Sequence, residues 1–143
     1  MANIVPDSFK TNLLGGVFDF DSSGGSTFKL ALYTSIGNFS TSTTSYSTTN
    51  EVSSSGTSYT AGGNTLTNNG VAVASNVAYV DFADLTFSSV TLSAVGALIY
   101  KATSNEAVLV LDFGGTKTAT NGDFVIQFPT ADSSTAIIRL GDA

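Results

Sequence analysis

The chain contains no cysteine, no histidine and no tryptophan. Without cysteine there is no disulfide framework and no thiol chemistry, a usage that fits maturation in the cytosol. Without histidine the commonest general base near neutral pH is missing, and so is the usual ligand for zinc, copper and non-haem iron. Any metal site would have to be built from oxygen ligands. Charge is also scarce, at 11% of residues, less than half the usual share. The five basic residues (Lys10, Lys29, Lys101, Lys117 and Arg139) are spread along the chain and form no patch. Neutralising a phosphate backbone needs clustered Lys and Arg, so no nucleic-acid partner is expected. No run approaches the roughly 20 apolar residues of a membrane span, so no membrane partner is expected either. The opening Met1-Ala-Asn-Ile-Val-Pro-Asp7 lacks the basic and apolar regions of a signal peptide.

Hydroxyls take the place of charge. The chain has 143 residues, a net charge of −6, and 20 serines and 20 threonines. A surface of this kind is poorly protected by charge repulsion and tends to lie against neighbours. The length corresponds to one domain, large enough to bury a core without metal or disulfide staples.

Periodicity predicts one helix and many strands. Pro6 to Gly16 reads as a short helix capped by Asp7 or Ser8 and stopped by Gly15-Gly16. Phe9, Leu13 and Leu14 give it one apolar side, and it must dock to persist. After it, Phe28–Thr34 alternates. Ser35 to Ser58 is rich in Ser and Thr and reads as a long exposed loop, of the kind that is usually functional or mobile. Val71–Phe82 reads as one strand. Leu85–Leu92 follows with a bulge, then Val95–Lys101 and Ala107–Phe113, apolar on both sides as in covered central strands. Ala102–Glu106 has hairpin length, Asn121-Gly122 marks a turn, Phe124–Phe128 is a strand ended by Pro129, and Thr135–Leu140 is the last. Seven or eight short strands punctuated by turns predict an all-β fold, an antiparallel β-sandwich or jelly-roll-like domain. An N-terminal arm or short helix occupies residues 1–20 and the sandwich residues 21–143.

Chemistry finds little to work with. Asp81, Asp84 and Asp112 lie at strand ends, where aspartate caps turns; a glycosidase would need two of them facing each other. Asp19-Phe-Asp-Ser-Ser-Gly-Gly25 begins like a calcium loop, with Asp19, Asp21 and Ser23 as alternate oxygens and Gly24 at the turn. Leu30 then stands where the bidentate Glu belongs, and the plain reading is a polar turn. Gly114-Gly-Thr-Lys117 lacks phosphate-loop spacing and reads as a hairpin. Serine nucleophiles lack a base. No catalytic, cofactor-binding or metal-binding residue is assigned, and no enzyme is expected. Tyr33, Tyr46, Tyr59 and Tyr100 are candidates for a sugar-stacking surface, with Tyr46 and Tyr59 the candidates in or beside the Ser/Thr-rich loop.

Several runs together resemble a known family. They are Asp7-Ser-Phe-Lys-Thr-Asn-Leu-Leu-Gly-Gly-Val-Phe-Asp-Phe20, Thr27-Phe-Lys-Leu-Ala-Leu-Tyr-Thr-Ser35, Glu51-Val-Ser53, Gly56-Thr-Ser-Tyr-Thr-Ala-Gly-Gly-Asn-Thr-Leu66, Val80-Asp-Phe-Ala-Asp84, Gly96-Ala-Leu-Ile-Tyr100 and Ala107-Val-Leu-Val-Leu-Asp-Phe-Gly-Gly115. The chain looks like the small virion proteins of tailed bacteriophages. The resemblance implies a capsid decoration (cement) protein, or a related head or tail accessory protein, on the capsid surface of a virion assembled in the host cytoplasm. Its implied partners are the major capsid protein and copies of itself, expected as a trimer. It brings no active site. A fibre or adhesin-like component binding host glycans is the alternative. Phe9, Leu13, Leu14, Val17 and Phe18 are the candidates for an arm that docks on a neighbour.

Overall fold

The computed structural model describes residues 2–141. Its one α-helix, α1, spans Asp7–Leu14. Pro6 leads in with extended backbone (φ −61°, ψ 145°) and no side chain caps the N-terminus. The two expected caps act elsewhere: Asp7 pairs with Lys10 at 2.8 Å, and the Ser8 hydroxyl donates to the Thr43 carbonyl at 2.9 Å. The amides of Gly15 and Gly16 donate back to the carbonyls of Thr11 and Leu13 and end the helix.

The strands are β1 (Phe28–Tyr33), β2 (Asn64–Thr65), β3 (Asn68–Ala74), β4 (Val77–Phe82), β5 (Leu85–Lys101), β6 (Ala107–Ile126) and β7 (Ile138–Leu140). They form two antiparallel sheets, one in the order β2-β1-β5-β6 and the other in the order β3-β4-β7. The fold is therefore all-β, a sandwich with a short N-terminal helix.

Three boundaries differ from expectation, each for a local reason. Val71–Phe82 is two strands. Ser75 (φ 50°) and Asn76 (φ 63°) both adopt left-handed backbone, the two-residue type I′ turn that joins strands with matching twist. Conversely, Leu85–Lys101 and Ala107–Ile126 are each continuous. Register shifts absorb the turn signals inside them, between Phe87 and Val90, between Val90 and Leu92, and between Ala94 and Gly96. Gly114–Lys117 is thus no hairpin: it lies in β6, where four residues (113–116) lie opposite Val95 alone. Asn121-Gly122 is likewise a bulge within β6 and not a turn.

Alternation along β1 sends Phe28, Leu30 and Leu32 to one face and Ala31 and Tyr33 to the other, and both faces are buried. The first face meets the second sheet across a core rich in phenylalanine. Phe20 stacks on Phe28 at 4.7 Å, Phe28 meets Phe82 edge-on at 5.8 Å, and Phe82 meets Phe128 at 5.8 Å. Each buried ring contributes roughly 1.5–3 kcal/mol of transfer free energy. The other face is covered by Ile36, Phe39 and Tyr46, all from the Ser/Thr-rich segment, packed over Tyr33, Leu98, Tyr100 and Val110.

Candidate functional site

The residues proposed as a docking arm are mostly internal. Phe9 is 4% and Phe18 7% exposed, and the two rings touch at 5.2 Å. Leu13 and Val17 pack half-buried against the same core. Only Leu14 is open, at 82% exposure. The segment is not a free arm, because its apolar side fills the protein's own sandwich. The Lys101 ammonium fastens it further by donating to the Val17 carbonyl at 2.7 Å.

The segment from Ser35 to Ser58 is a largely exposed loop, as expected, but it is not a free tip: Ile36, Phe39 and Val52 are buried and anchor it. It folds back over the sheet and is held by Glu51. That carboxylate accepts the Tyr46 hydroxyl at 2.6 Å, the Tyr59 hydroxyl at 2.8 Å and the Gly62 amide at 2.6 Å. Tyr46 stacks on Tyr100 at 4.6 Å. Tyr100 donates to the Gly62 carbonyl at 2.6 Å, and Tyr33 to the Ser47 carbonyl at 2.6 Å. Tyr59 is 3% exposed and Tyr46 is half-buried, so neither offers a ring face for sugar stacking. Burial, with the Glu51 charge reinforcing it, holds the hydroxyls of Tyr33, Tyr46, Tyr59 and Tyr100 above their ordinary value. The cluster is a satisfied structural network.

Glu51 is the residue that pattern reading passed over. A signal existed: it is the only charged residue between Lys29 and Asp81. A lone carboxylate in a neutral stretch that holds several tyrosines is a candidate hydrogen-bond hub.

The aspartates hold local structure. Asp81 accepts from the Asn69 side chain at 2.9 Å, Asp84 from the Phe128 amide at 2.8 Å, and Asp112 from the Gly114 amide at 2.8 Å. The Gly114 bond holds the Asp112 carboxyl below its ordinary range. Asp19 accepts the Asp21 amide at 2.9 Å, which closes a local turn. Among the described residues no group of three or more Asp, Glu, His or Cys side chains is gathered, and no helix is long and apolar enough to cross a membrane.

Two surface features remain. One is an open groove of about 490 Å³ beside the outer part of β6, walled by Phe113, Phe124, Phe128 and Ile137 with Lys117 and Asp123 among its lining. The other is the β3–β4 hairpin. Val71 is 54%, Val73 72% and, beside them on β7, Leu140 58% exposed. Register places Val71 opposite Val80, Val73 opposite Ala78, and Ala78 opposite Leu140. Directly opposed residues share a face, so these side chains form one apolar surface that begins in the core at Val80 and runs out into solvent. Ala72 and Ala74, on the other face, are exposed as well. No family model, no curated protein and no solved structure matches the chain.

Proposed function

We propose that this protein is a structural component of a tailed-phage virion, a decoration (cement) protein that binds the major capsid protein and copies of itself and performs no catalysis. The observation that carries the reading is one face of β3–β4–β7, formed by Val71, Val73, Ala78 and Leu140: uncharged, apolar, and projecting from a sandwich whose polarity is mostly hydroxyl. Exposed apolar surface on a small soluble domain marks an interaction site. The sequence resemblance to small virion proteins supports the same reading. A decoration protein works by burying surface, and specific contacts of that kind cover about 1,200–2,000 Å² in total. A trimer at a threefold point of the shell is the expected arrangement.

The test is copy number and position in purified virions, by quantitative gel and cryo-electron microscopy. Hundreds of copies on the shell support decoration. A few copies at the tail or a vertex overturn it.

A second reading, recognition of host glycans, draws on the groove beside β6, where aromatic walls meet a few polar side chains in the manner of small-ligand sites. Binding on a glycan array that is lost in a Phe113→Ala variant would support it, and silence across a broad array would count against it.

A further inference from the structure

The hairpin of β3 and β4 is built as if it were covered on both faces. Val71-Ala-Val-Ala74 and Val77-Ala-Tyr-Val80 are near-continuous apolar runs, a pattern that belongs to strands with no solvent-facing side. Yet every residue from Val71 to Asn76 is exposed. β3 is also the edge of its sheet. Exposed edges are normally blunted by Lys, Pro, an inward-pointing charge or a β-bulge. Asn68–Ala74 has no charge and no proline, and its one bulge lies between Asn68 and Gly70, before the Val71–Ala74 run.

The direction of the free hydrogen-bonding groups follows from the turn. A two-residue turn is closed by hydrogen bonds between its flanking residues, here Ala74 and Val77. Hydrogen-bonded and non-bonded positions alternate along an antiparallel pair, so Ala72 also bonds inward to β4. The amides and carbonyls of Val71 and Val73 therefore point away from the sheet.

We propose that this edge pairs with the same edge of a second copy of the chain, antiparallel and about a two-fold axis at Ala72. A two-fold perpendicular to the sheet keeps each face on its own side, so only registers centred on a residue are allowed. The register centred on Ala72 sets Val71 of each copy opposite Val73 of the other. It forms four main-chain hydrogen bonds and two valine–valine cross-strand contacts, and joins two three-stranded sheets into one of six.

The register centred on Ala72 makes this edge complementary to itself, and charge does not oppose that pairing here. Each chain carries a net charge of −6, so copies repel except where neither presents charge. Residues 52–80 contain no charged side chain, and this edge lies within them. The surface offered by one hairpin is below the roughly 800 Å² per partner of a standard interface, so the contact dissociates in the micromolar range or weaker in solution. It is a contact for an array, where neighbours are held close, and for that purpose it rests on the assembly reading. It is separate from any threefold ring and could link one ring to the next.

The test is sedimentation velocity of the intact chain from about 1 µM to about 1 mM, the range over which a contact of this size dissociates. The wild-type mass should rise with concentration. Ala72→Lys, which sets like charges directly opposite each other across the axis, should lower that mass, while Leu14→Lys on the exposed helix should not. An Ala72→Cys variant gives a second measurement. Non-bonded antiparallel pairs hold their Cα atoms about 4.5 Å apart, within disulfide reach. In this cysteine-free chain the variant should cross-link into covalent pairs much faster than Leu14→Cys. A wild-type mass fixed at every concentration, an Ala72→Lys variant that associates like wild type, or cross-linking no faster than at Leu14 overturns the pairing. Pairs in solution with no protein in virions would instead overturn the assembly reading and leave this one standing.

Discussion

The two sheets each end in an exposed-edge problem, and the protein treats them oppositely. Along β1 the edge beyond the short β2 pairing is sealed. The Val52 amide donates to the Leu32 carbonyl at 2.9 Å and the Thr34 amide to the Asn50 carbonyl at 2.8 Å, while the Leu32 amide donates to the Tyr59 hydroxyl at 3.0 Å. The seal is made by Asn50, Val52 and Tyr59, which sit in or beside a Ser/Thr-rich segment whose composition suggests solvent. Along β3 the edge is open, and its Val and Ala suggest interior. Composition reports what a segment can touch, not whether this chain touches it. A hydroxyl-rich segment can seal an edge with its backbone and its few apolar and tyrosine side chains while its Ser and Thr stay in water, and an apolar strand can be left bare if its cover comes from outside.

The sealed side should be the fragile one. The largest effect is expected at Gly63, the residue before β2. Its φ is +76°, and an added Cβ would lie 1.8 Å from the Leu30 carbonyl oxygen, so Gly63→Ala must displace the backbone of β1. A cost of about 4 kcal/mol or more is expected, in the range reserved for backbone clashes in a core. Urea denaturation should show it, or the variant should fail to accumulate as folded protein. Next comes the carboxylate hub. Tyr59→Phe leaves the buried Leu32 amide without a partner and removes one of the two donors to Glu51 Oε1, at about 1–3 kcal/mol. Glu51→Gln should cost a similar amount. Because both changes break the same bond, the double variant should lose less than their sum. Additive losses would show that Glu51 and Tyr59 act separately.

Alkali probes the same seal without mutation. Burial raises the Tyr33 and Tyr59 hydroxyls far above their ordinary value near 10. Below that pH both the folded and the unfolded chain keep these protons, and stability is unaffected. Above it the unfolded chain releases them and the folded chain does not. Stability should therefore fall by roughly 1.4 kcal/mol per pH unit for each of the two. Tyrosinate absorbance from these residues should appear together with unfolding, and Tyr33→Phe should flatten the fall. Titration of both tyrosines in a chain that stays folded would show that the seal opens locally.

How much of this was legible follows from the same contrast. The all-β class, the helix near Pro6 and the strand at Phe28 are written in local signals: a proline lead-in, a glycine stop, strict alternation. The burial of Ala107–Leu111 on both faces was legible too, because apolar residues on both sides leave no solvent face, but its expected central place was not: β6 is the edge strand of its sheet. The Tyr46–Tyr100 stack was not, since those residues are 54 apart and only the folded sheet brings them together. Phe9 and Phe18 misled for the opposite reason: an apolar stripe beside Gly15-Gly16 fits an arm and a docked segment equally well, and only the partner rings Phe20 and Phe28 decide. The turn at Ser75-Asn76 was hidden because neither residue is glycine, the usual mark of positive φ in a hairpin.

That turn supplies the gentlest way to set the open region against the sealed one. Ser75 and Asn76 hold left-handed backbone at φ 50° and 63°, which Asn-Gly adopts more readily than Ser-Asn. Ser75→Asn with Asn76→Gly should stabilise the hairpin by about 0.5–1 kcal/mol, a part of the roughly 1–2 kcal/mol that left-handed backbone costs a residue bearing a Cβ. The gain need not appear in global melting. The hairpin projects beyond the core and can open while the sandwich stays closed, and local openings of that kind carry their own free energy. Hydrogen exchange distinguishes the two cases. If the hairpin is a separate opening unit, the Val77 amide, which closes the turn, should exchange a few-fold more slowly in the variant while the Leu32 amide keeps its rate. If both amides slow together, the hairpin unfolds only with the whole domain. Its exposed valines would then be held rigid, ready to meet a second edge without first being ordered.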